Sequence, residues 1–404
     1  TASPLHDSRL VSEVLDRILN TLRDIDAEVH KLITDVGGVE ELSRDYDTYI
    51  VPILTGGTEH IVLKLVSKGV PIALIAHETQ NSLAAALEVK AKLDSMSYPN
   101  SLLLLSDTLS HEVRSFLRAS HVYRRLRNLK IILLGDPSPW LVYSNEGVEF
   151  IKELGIEVVR IDISDILSNY EKVGDSEVDD LLGKFVNIER IEPSLDDLRK
   201  ALRLYVLLKR ILDSKGSKVF TIRCFDLISK GLTACLPLSM LNDEGYIATC
   251  EGDLPALMTM TIMSWISGKP SFMGNVNWVW VEENRMLISH CTTPTRIVSK
   301  FRLRTHFESG LGIGVEGYPI KGSKVTIARL DITSRTLRVY VGEVINEGPV
   351  NNRVCRTQFL LRVSGDLGKV FKESIGNHYV ISLGDWRKEL RYLAGMLKVK
   401  YEEP

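Results

Sequence analysis

The sequence predicts an α/β protein in which two doubly wound α/β domains are followed by a β-rich C-terminal domain. Three observations predict it. Short apolar runs alternate with stretches of helical period through the first two thirds of the chain, the signature of βαβ units. From about Phe272 strict alternation replaces the helical period. The length, 404 residues, exceeds one ordinary domain. The expected divisions are 1–129, 130–270 and 271–404.

Asp7 or Ser8 can cap a first helix whose apolar residues, Leu10, Val11, Val14, Leu15, Ile18, Leu19 and Leu22, share one face. Domains of this kind open on a strand, so an N-terminal strand is expected outside the chain. Tyr49–Leu54, Pro71–Ala76 and Leu102–Leu105 are near-continuous apolar runs, as strands covered on both faces should be. A helical stretch near 111–128 leads to a strand at Lys130–Leu134, completing a Rossmann-like rhythm. The rhythm restarts with strands at Ile156–Ile161, Lys218–Cys224 and Tyr246–Cys250 and a helix near 195–213. The charged stretch from 163 to 195 gives no clear period. A helix from Leu254, apolar nearly all round, should be buried. Val325–Leu330, Leu337–Ile345 and Gln358–Val363 read as strands of the last domain, closed by a helix near Trp386–Leu397.

Hydrophobic residues make up 44%, charged residues 25%, and the formal charge is −2, so no nucleic-acid or anionic-membrane partner is indicated. The basic run Arg114, Arg118, Arg124, Arg125, Arg127 and Lys130 follows a helical pattern and reads as a solvated face. Five cysteines (Cys224, Cys235, Cys250, Cys291 and Cys355) include no CxxC pair, which fits a reducing, cytoplasmic compartment. No apolar run reaches membrane-spanning length, and no signal-peptide pattern opens the chain.

Open α/β sheets present ligand groups at the C-terminal ends of their strands. Thr55-Gly56-Gly57-Thr58 follows the first such strand and allows close approach to a polyol or phosphate; a tight turn capped by Thr58 is the plainer reading. His77, Glu78, Asn81 and Ser82 follow the second. Gly135–Trp140 follows the strand at 130–134, and Trp140 could stack on a sugar or simply pack. Arg223 could bind a hydroxyl or an acidic substituent, or make a strand-end salt bridge. The sharpest feature is Cys250-Glu251-Gly252-Asp253. Asp253 precedes Leu254-Pro255 as a helix cap would. Glu251 has no such structural task and is a carboxylate aimed at a crevice. His290 and His378 each end or open an apolar segment and could join it as ligands of a divalent ion. A nucleotide-using transferase is disfavoured, because the Thr55–Thr58 loop lacks the lysine and the spacing of a P-loop and no GxGxxG follows an early strand. A cysteine nucleophile built on Cys250, Cys291 and His290 stays open, although buried cysteine is commoner.

Here the sequence resembles the L-fucose/L-arabinose isomerase family, in the form of its archaeal-style members. Cys250-Glu251-Gly252-Asp253 resembles the motif whose Glu binds the metal and works as a catalytic base. Phe272-Met273-Gly274-Asn275 resembles the segment with the second carboxylate, and Ser289-His290-Cys291-Thr292 and Gly376-Asn377-His378-Tyr379 resemble the histidine-ligand segments. Thr55–Thr58 and Asn81–Ala86 are similar to N-terminal segments of the group. The resemblance implies two α/β domains and a β-rich domain, and a trimer or hexamer with sites between subunits. It also implies aldose–ketose interconversion through a cis-enediol. The metal ligands would be Glu251, Asn275, His290 and His378, around Mn²⁺ first, with Mg²⁺, Co²⁺ and Zn²⁺ as alternatives. Asn275 departs from the pattern: an amide cannot accept a proton at neutral pH. Glu282 or Glu283 would restore the charge if the hairpin register differs; otherwise Glu251 would act with Asp226 or Asp253, the reaction would differ, or the chain would be a non-catalytic sugar or sugar-phosphate binding protein on the same scaffold.

Overall fold

Two parallel α/β sheets and a C-terminal antiparallel β-barrel make up the chain, in a computed structural model that describes all 404 residues. By contact density there are two units, residues 1–125 with 388–399 and residues 126–387 with 400–404.

The first unit holds a parallel sheet of β1 (Tyr49–Pro52), β2 (Ile72–Ala76) and β3 (Asn100–Leu104), in that order. β2, the central strand, is buried at every residue, which is why its sequence is uniformly apolar. The opening helix spans Ser8–Thr21, and Asp7 caps it by accepting the Arg9 N–H. The helix Arg387–Leu397 returns to this unit from Lys388 onward, where Ser115 Oγ donates to Glu389 at 2.9 Å.

The second unit begins with β4 (Lys130–Leu134), β5 (Glu157–Ile161), β6 (Val219–Ile222) and β7 (Ile247–Cys250), all parallel, in the order β5-β4-β6-β7. The order reverses at β4, so the crevice at its C-terminal end is a topological switch point. The helix Leu195–Lys215 crosses between β5 and β6, opened by a capping box between Ser194 and Asp197. The charged stretch before it forms two short helices, Ile163–Tyr170 and Asp175–Leu182, tied to the long one by Arg199–Asp179 and Arg203–Asp175 ion pairs.

The barrel follows: β8 (Phe272–Trp280), β9 (Arg285–His290), the separate hairpin β10 (Val298–Arg304) and β11 (Gly314–Pro319), then β12 (Lys324–Asp331), β13 (Thr336–Val344), β14 (Thr357–Ser364) and β15 (His378–Leu383). Because β12 pairs with both β13 and β15, the ring β12-β15-β8-β9-β14-β13 closes. Closure leaves these strands no free edge. β16 (Lys400–Glu402) adds in parallel to the start of β13. Phe272, Met286, Ile288, Ile327, Phe359 and Tyr379 are among its core residues.

The helix Leu254–Ser267 packs on β6 and β7 on one side and on β12 and β15 on the other. That explains why it is apolar nearly all round. Burying each of its Leu, Ile and Met side chains contributes about 1.5–3 kcal/mol. It also fixes the C-terminal end of β7 beside the start of β15.

Candidate metal and sugar site

The strand β7 ends at Cys250, and the next two residues turn the chain in the left-handed region, Glu251 at φ +64° and Gly252 at φ +69°. Side chains alternate along a strand. The left-handed turn breaks the alternation, so Cys250 and Glu251, adjacent in sequence, line one pocket. Gly252 is required by space as well as by φ: a Cβ there would lie 2.7 Å from Pro137 Cα and 2.9 Å from Asp136 O. The loop after β4 is locked to this turn, since Ser138 N–H donates to Glu251 O at 2.8 Å.

Glu251 is 7% exposed. Its Oε2 accepts the Trp140 indole N–H at 2.8 Å. Its Oε1 lies 3.6 Å from His290 Nε2 and 3.4 Å from His378 Nε2. Burial would raise its carboxyl, but the two imidazoles outweigh burial and hold it far below the carboxylate range.

His378 is fully buried at the start of β15, opposite Asn275 of β8. Its Nδ1–H donates to Asp253 Oδ2 at 2.8 Å, while Asp253 Oδ1 accepts the Ala256 N–H at 2.8 Å and so caps the helix. Burial draws this imidazole down, but the Asp253 hydrogen bond and the Glu251 carboxylate charge 3.4 Å away lift it to about 9. Its Nε2 has no hydrogen-bond partner. A buried ring nitrogen of this kind, with the other nitrogen held by a carboxylate, is how a metal-binding histidine is oriented.

His290 ends β9. Its Nε2 lies 3.5 Å from Cys250 Sγ, and the ligand atoms of Cys250, Glu251 and His290 all fall within 4.8 Å of one another. The residue types and spacing of this group, with the unpartnered His378 nitrogen beside Glu251, fit a divalent cation.

The pocket is completed by Phe225, Leu238, Asn275, Thr292, His306 and Glu308, and by the remaining cysteines. All five cysteines of the chain line it. Contact with Cys224, then burial and the Glu251 charge, push the Cys250 thiol well up. The bond with Cys355 draws the Cys291 thiol down to about 6. Burial lowers His306 to about 4, and burial with the Glu251 charge raises the Glu308 carboxyl.

Of the residues singled out from sequence, Glu251, Asn275, His290, His378 and Trp140 come together, and Asp253 reaches them through His378. Trp140 also meets Phe225 edge-on, ring centroids 4.8 Å apart. Asn275 Oδ1 accepts the Asn377 side-chain N–H at 3.0 Å. Asp226 instead pairs with Arg223 at 3.0 Å, the strand-end salt bridge. In the first unit Thr55–Thr58 and His77–Asn81 form one loop cluster at the ends of β1 and β2. There Gly56 N–H donates to Gln80 O, His77 Nε2–H donates to Leu54 O at 3.0 Å, and Asn81 stands in the left-handed region before the helix Ser82–Ser95. Thr58 occupies the cap position of Glu59–Lys64, but its hydroxyl donates back to Thr55 O rather than capping.

His306, Glu308 and the convergence of the cysteines were missed from sequence. The signal available was two titratable residues in the polar loop Thr305–Gly312, which no periodicity assigns to a core.

Residues 142–268 match the L-arabinose isomerase central domain. Sulfoquinovose isomerase of Clostridium sp. (strain MSTE9) is 23% identical over 313 residues, covering 73% of this chain and 69% of that protein. Sulfoquinovose isomerase of Priestia megaterium is 21% identical over 302 residues, 70% of this chain and 66% of that protein. L-arabinose isomerase 1 of Bacillus licheniformis is 23% identical over 252 residues, 58% and 50%. The chain therefore spans about two thirds of the first two relatives' length and half of the third's. No helix is long and apolar enough to cross a membrane. With a central domain of the L-arabinose isomerase type at 142–268, this chain is a distant homologue of the sulfoquinovose and L-arabinose isomerases.

Proposed function

We propose that the chain is a metal-dependent aldose–ketose isomerase that works through a cis-enediol. The observation that carries the reading is Glu251: a buried, ionised carboxylate between two histidine Nε2 atoms at the C-terminal end of β7. Glu251, His290 and His378, with Asn275, would hold a divalent ion, Mn²⁺ by resemblance. Such an ion would stabilise negative charge developing on the sugar oxygens during enolisation.

The residues divide the remaining work. Trp140 N–H holds Oε2 and so fixes the orientation of the carboxylate, the group that would take a proton from one sugar carbon and return it to the next. Asp253 fixes the His378 tautomer and is a positioning residue. Asn275 cannot take a proton, Asp253 is fully engaged, and Asp226 is paired with Arg223. Glu308 is the other carboxyl of the pocket, raised by burial and by Glu251, and we assign it the second acid–base role. The loops Thr55–Thr58 and His77–Asn81, and Arg223, are proposed substrate contacts. The reading carries a cytoplasmic homo-oligomer, trimer or hexamer, with domains at 1–129, 130–270 and 271–404.

Glu251→Gln should abolish interconversion of aldoses, with and without an anionic substituent, while leaving the thermal midpoint near that of the native chain. Full turnover in the variant would sink the assignment. Asn275 favours one other reading, a sugar-binding protein that has lost chemistry; binding of sugar without turnover by the native, metal-loaded chain would establish it.

A further inference from the structure

Among the pocket's residues, Cys250 stands closest to the candidate ion site without a part in the proposed reaction. Its Sγ is 3.5 Å from His290 Nε2, and Glu251 Oε1 is 3.6 Å from the same nitrogen. Around a tetrahedral ion with metal–sulfur bonds of about 2.3 Å and metal–nitrogen bonds of about 2.0–2.1 Å, the sulfur–nitrogen edge is about 3.5 Å. The corresponding oxygen–nitrogen edge is about 3.3 Å. The two observed separations lie within a few tenths of an ångström of these edges, and the three ligand atoms all fall within 4.8 Å of one another.

The charge count points the same way. Asn275 brings a neutral amide into the pocket, so Glu251 would be the only anion among Glu251, Asn275, His290 and His378. A Cys250 thiolate restores a second negative ligand from a different strand. The left-handed backbone at Glu251 is what allows it, because two residues consecutive in sequence then face the same ion.

We propose that Cys250 is a thiolate ligand of this site, compensating for Asn275 and selecting a thiophilic ion, Zn²⁺ or Co²⁺, over Mn²⁺. The inference rests on the metal-dependent reading above. On binding, the ion replaces the proton of Cys250, which leaves to solvent; no electron is transferred. Thiolate is the donor that most separates Zn²⁺ and Co²⁺ from Mn²⁺, which prefers oxygen.

The test strips the full chain with chelator, loads it with Co²⁺ and records the near-ultraviolet spectrum, then titrates Zn²⁺ and Mn²⁺ separately. The native chain should show a thiolate-to-cobalt charge-transfer band, which needs no variant to fold. Cys250→Ser should lose the band and weaken Zn²⁺ binding by at least about tenfold, with Mn²⁺ changed much less. Adding Asn275→Asp to Cys250→Ser should restore ion binding with preference moved toward Mn²⁺. Stoichiometric Co²⁺ without the band overturns the thiolate ligand and leaves the isomerase reading standing. No binding of Co²⁺, Zn²⁺ or Mn²⁺ by the native chain overturns both.

Discussion

Replacing Asp253 by asparagine removes one acceptor from a side chain that uses two. Oδ1 holds the Ala256 N–H at 2.8 Å, and Oδ2 holds His378 Nδ1–H at 2.8 Å. An amide offers one acceptor oxygen and an NH₂ donor group, so the substituted side chain can hold the helix or the imidazole, not both. If the oxygen keeps Ala256, the NH₂ faces Nδ1, which must then accept. The ring proton moves to Nε2, the atom beside Glu251 and the one needed as a ligand. If the oxygen keeps His378, the helix loses its cap, a loss of about 1 kcal/mol. A hydrogen bond to a charged group contributes about 1.5–3 kcal/mol, but the variant also no longer buries a carboxylate. The two terms oppose each other, so the net loss of stability should be about 1–2 kcal/mol. Divalent-ion affinity should fall roughly 10–100-fold, as when other outer partners of ligand histidines are changed. Competition with a chromophoric chelator measures the affinity, and thermal unfolding the stability. A variant that unfolds earlier yet binds the ion as tightly as the native chain would refute the orienting role and leave Asp253 a cap alone.

Two further outcomes follow from geometry that involves no ion. Gly252→Ala places a Cβ against backbone atoms of Pro137 and Asp136 and should cost about 2 kcal/mol or more. Gly231→Ala, also at positive φ but facing open space, should cost only about 1 kcal/mol, and equal thermal midpoints for the two would count against the contact. Arg304 donates to Glu192 at 2.7–2.8 Å and holds its carboxyl at about 2, against an ordinary 4.5. The folded value lies below the unfolded one, so the stability this pair contributes is complete above about pH 4.5 and is lost as pH falls through about 2. With Glu192 partly exposed, the amount should be roughly 1 kcal/mol. Thermal midpoints of Glu192→Gln should therefore fall less steeply with acid than those of the native chain, and parallel profiles would refute it.

The parallel strands were legible because both faces are covered, which leaves a continuous apolar run such as Lys130–Leu134, found at the predicted bounds. Strands β12, β13 and β14 were legible for the opposite reason, their turns standing out between apolar segments. β8 was not read as a strand, because its register shifts between Val276 and Trp278 and its residues there are asparagine and tryptophan. β10 was missed because its hairpin stands apart from the closed barrel and carries Lys300, Arg302 and Arg304. The two short helices between 163 and 182 draw on ion pairs with a helix far along the chain, which local period cannot report.

The site divides along the same line. Glu251 was visible because a carboxylate at a strand end before a capped helix lacks a local task. The Asp253–His378 pair was not, since it depends on the buried helix Leu254–Ser267 setting β7 against β15. The five cysteines show no motif because strand order brings them together: Ile222 of β6 pairs with Cys250 of β7, which sets Cys224 beside it.

Glu251 is also where a local rule fails in an informative way. A turn that only had to reverse the chain would be cheapest with glycine at both left-handed positions, yet this one has Glu251 followed by Gly252. A non-glycine residue held there costs of order 1–3 kcal/mol. Nothing in the helix cap repays that cost, because Asp253 supplies the cap without help. What the conformation does achieve is a carboxylate placed within reach of two imidazoles, with the preceding thiol turned to the same side. Backbone strain at a buried ionised group, opposite an unpartnered histidine nitrogen, is hard to explain by folding alone and follows naturally if the carboxylate is there to meet a cation and a sugar.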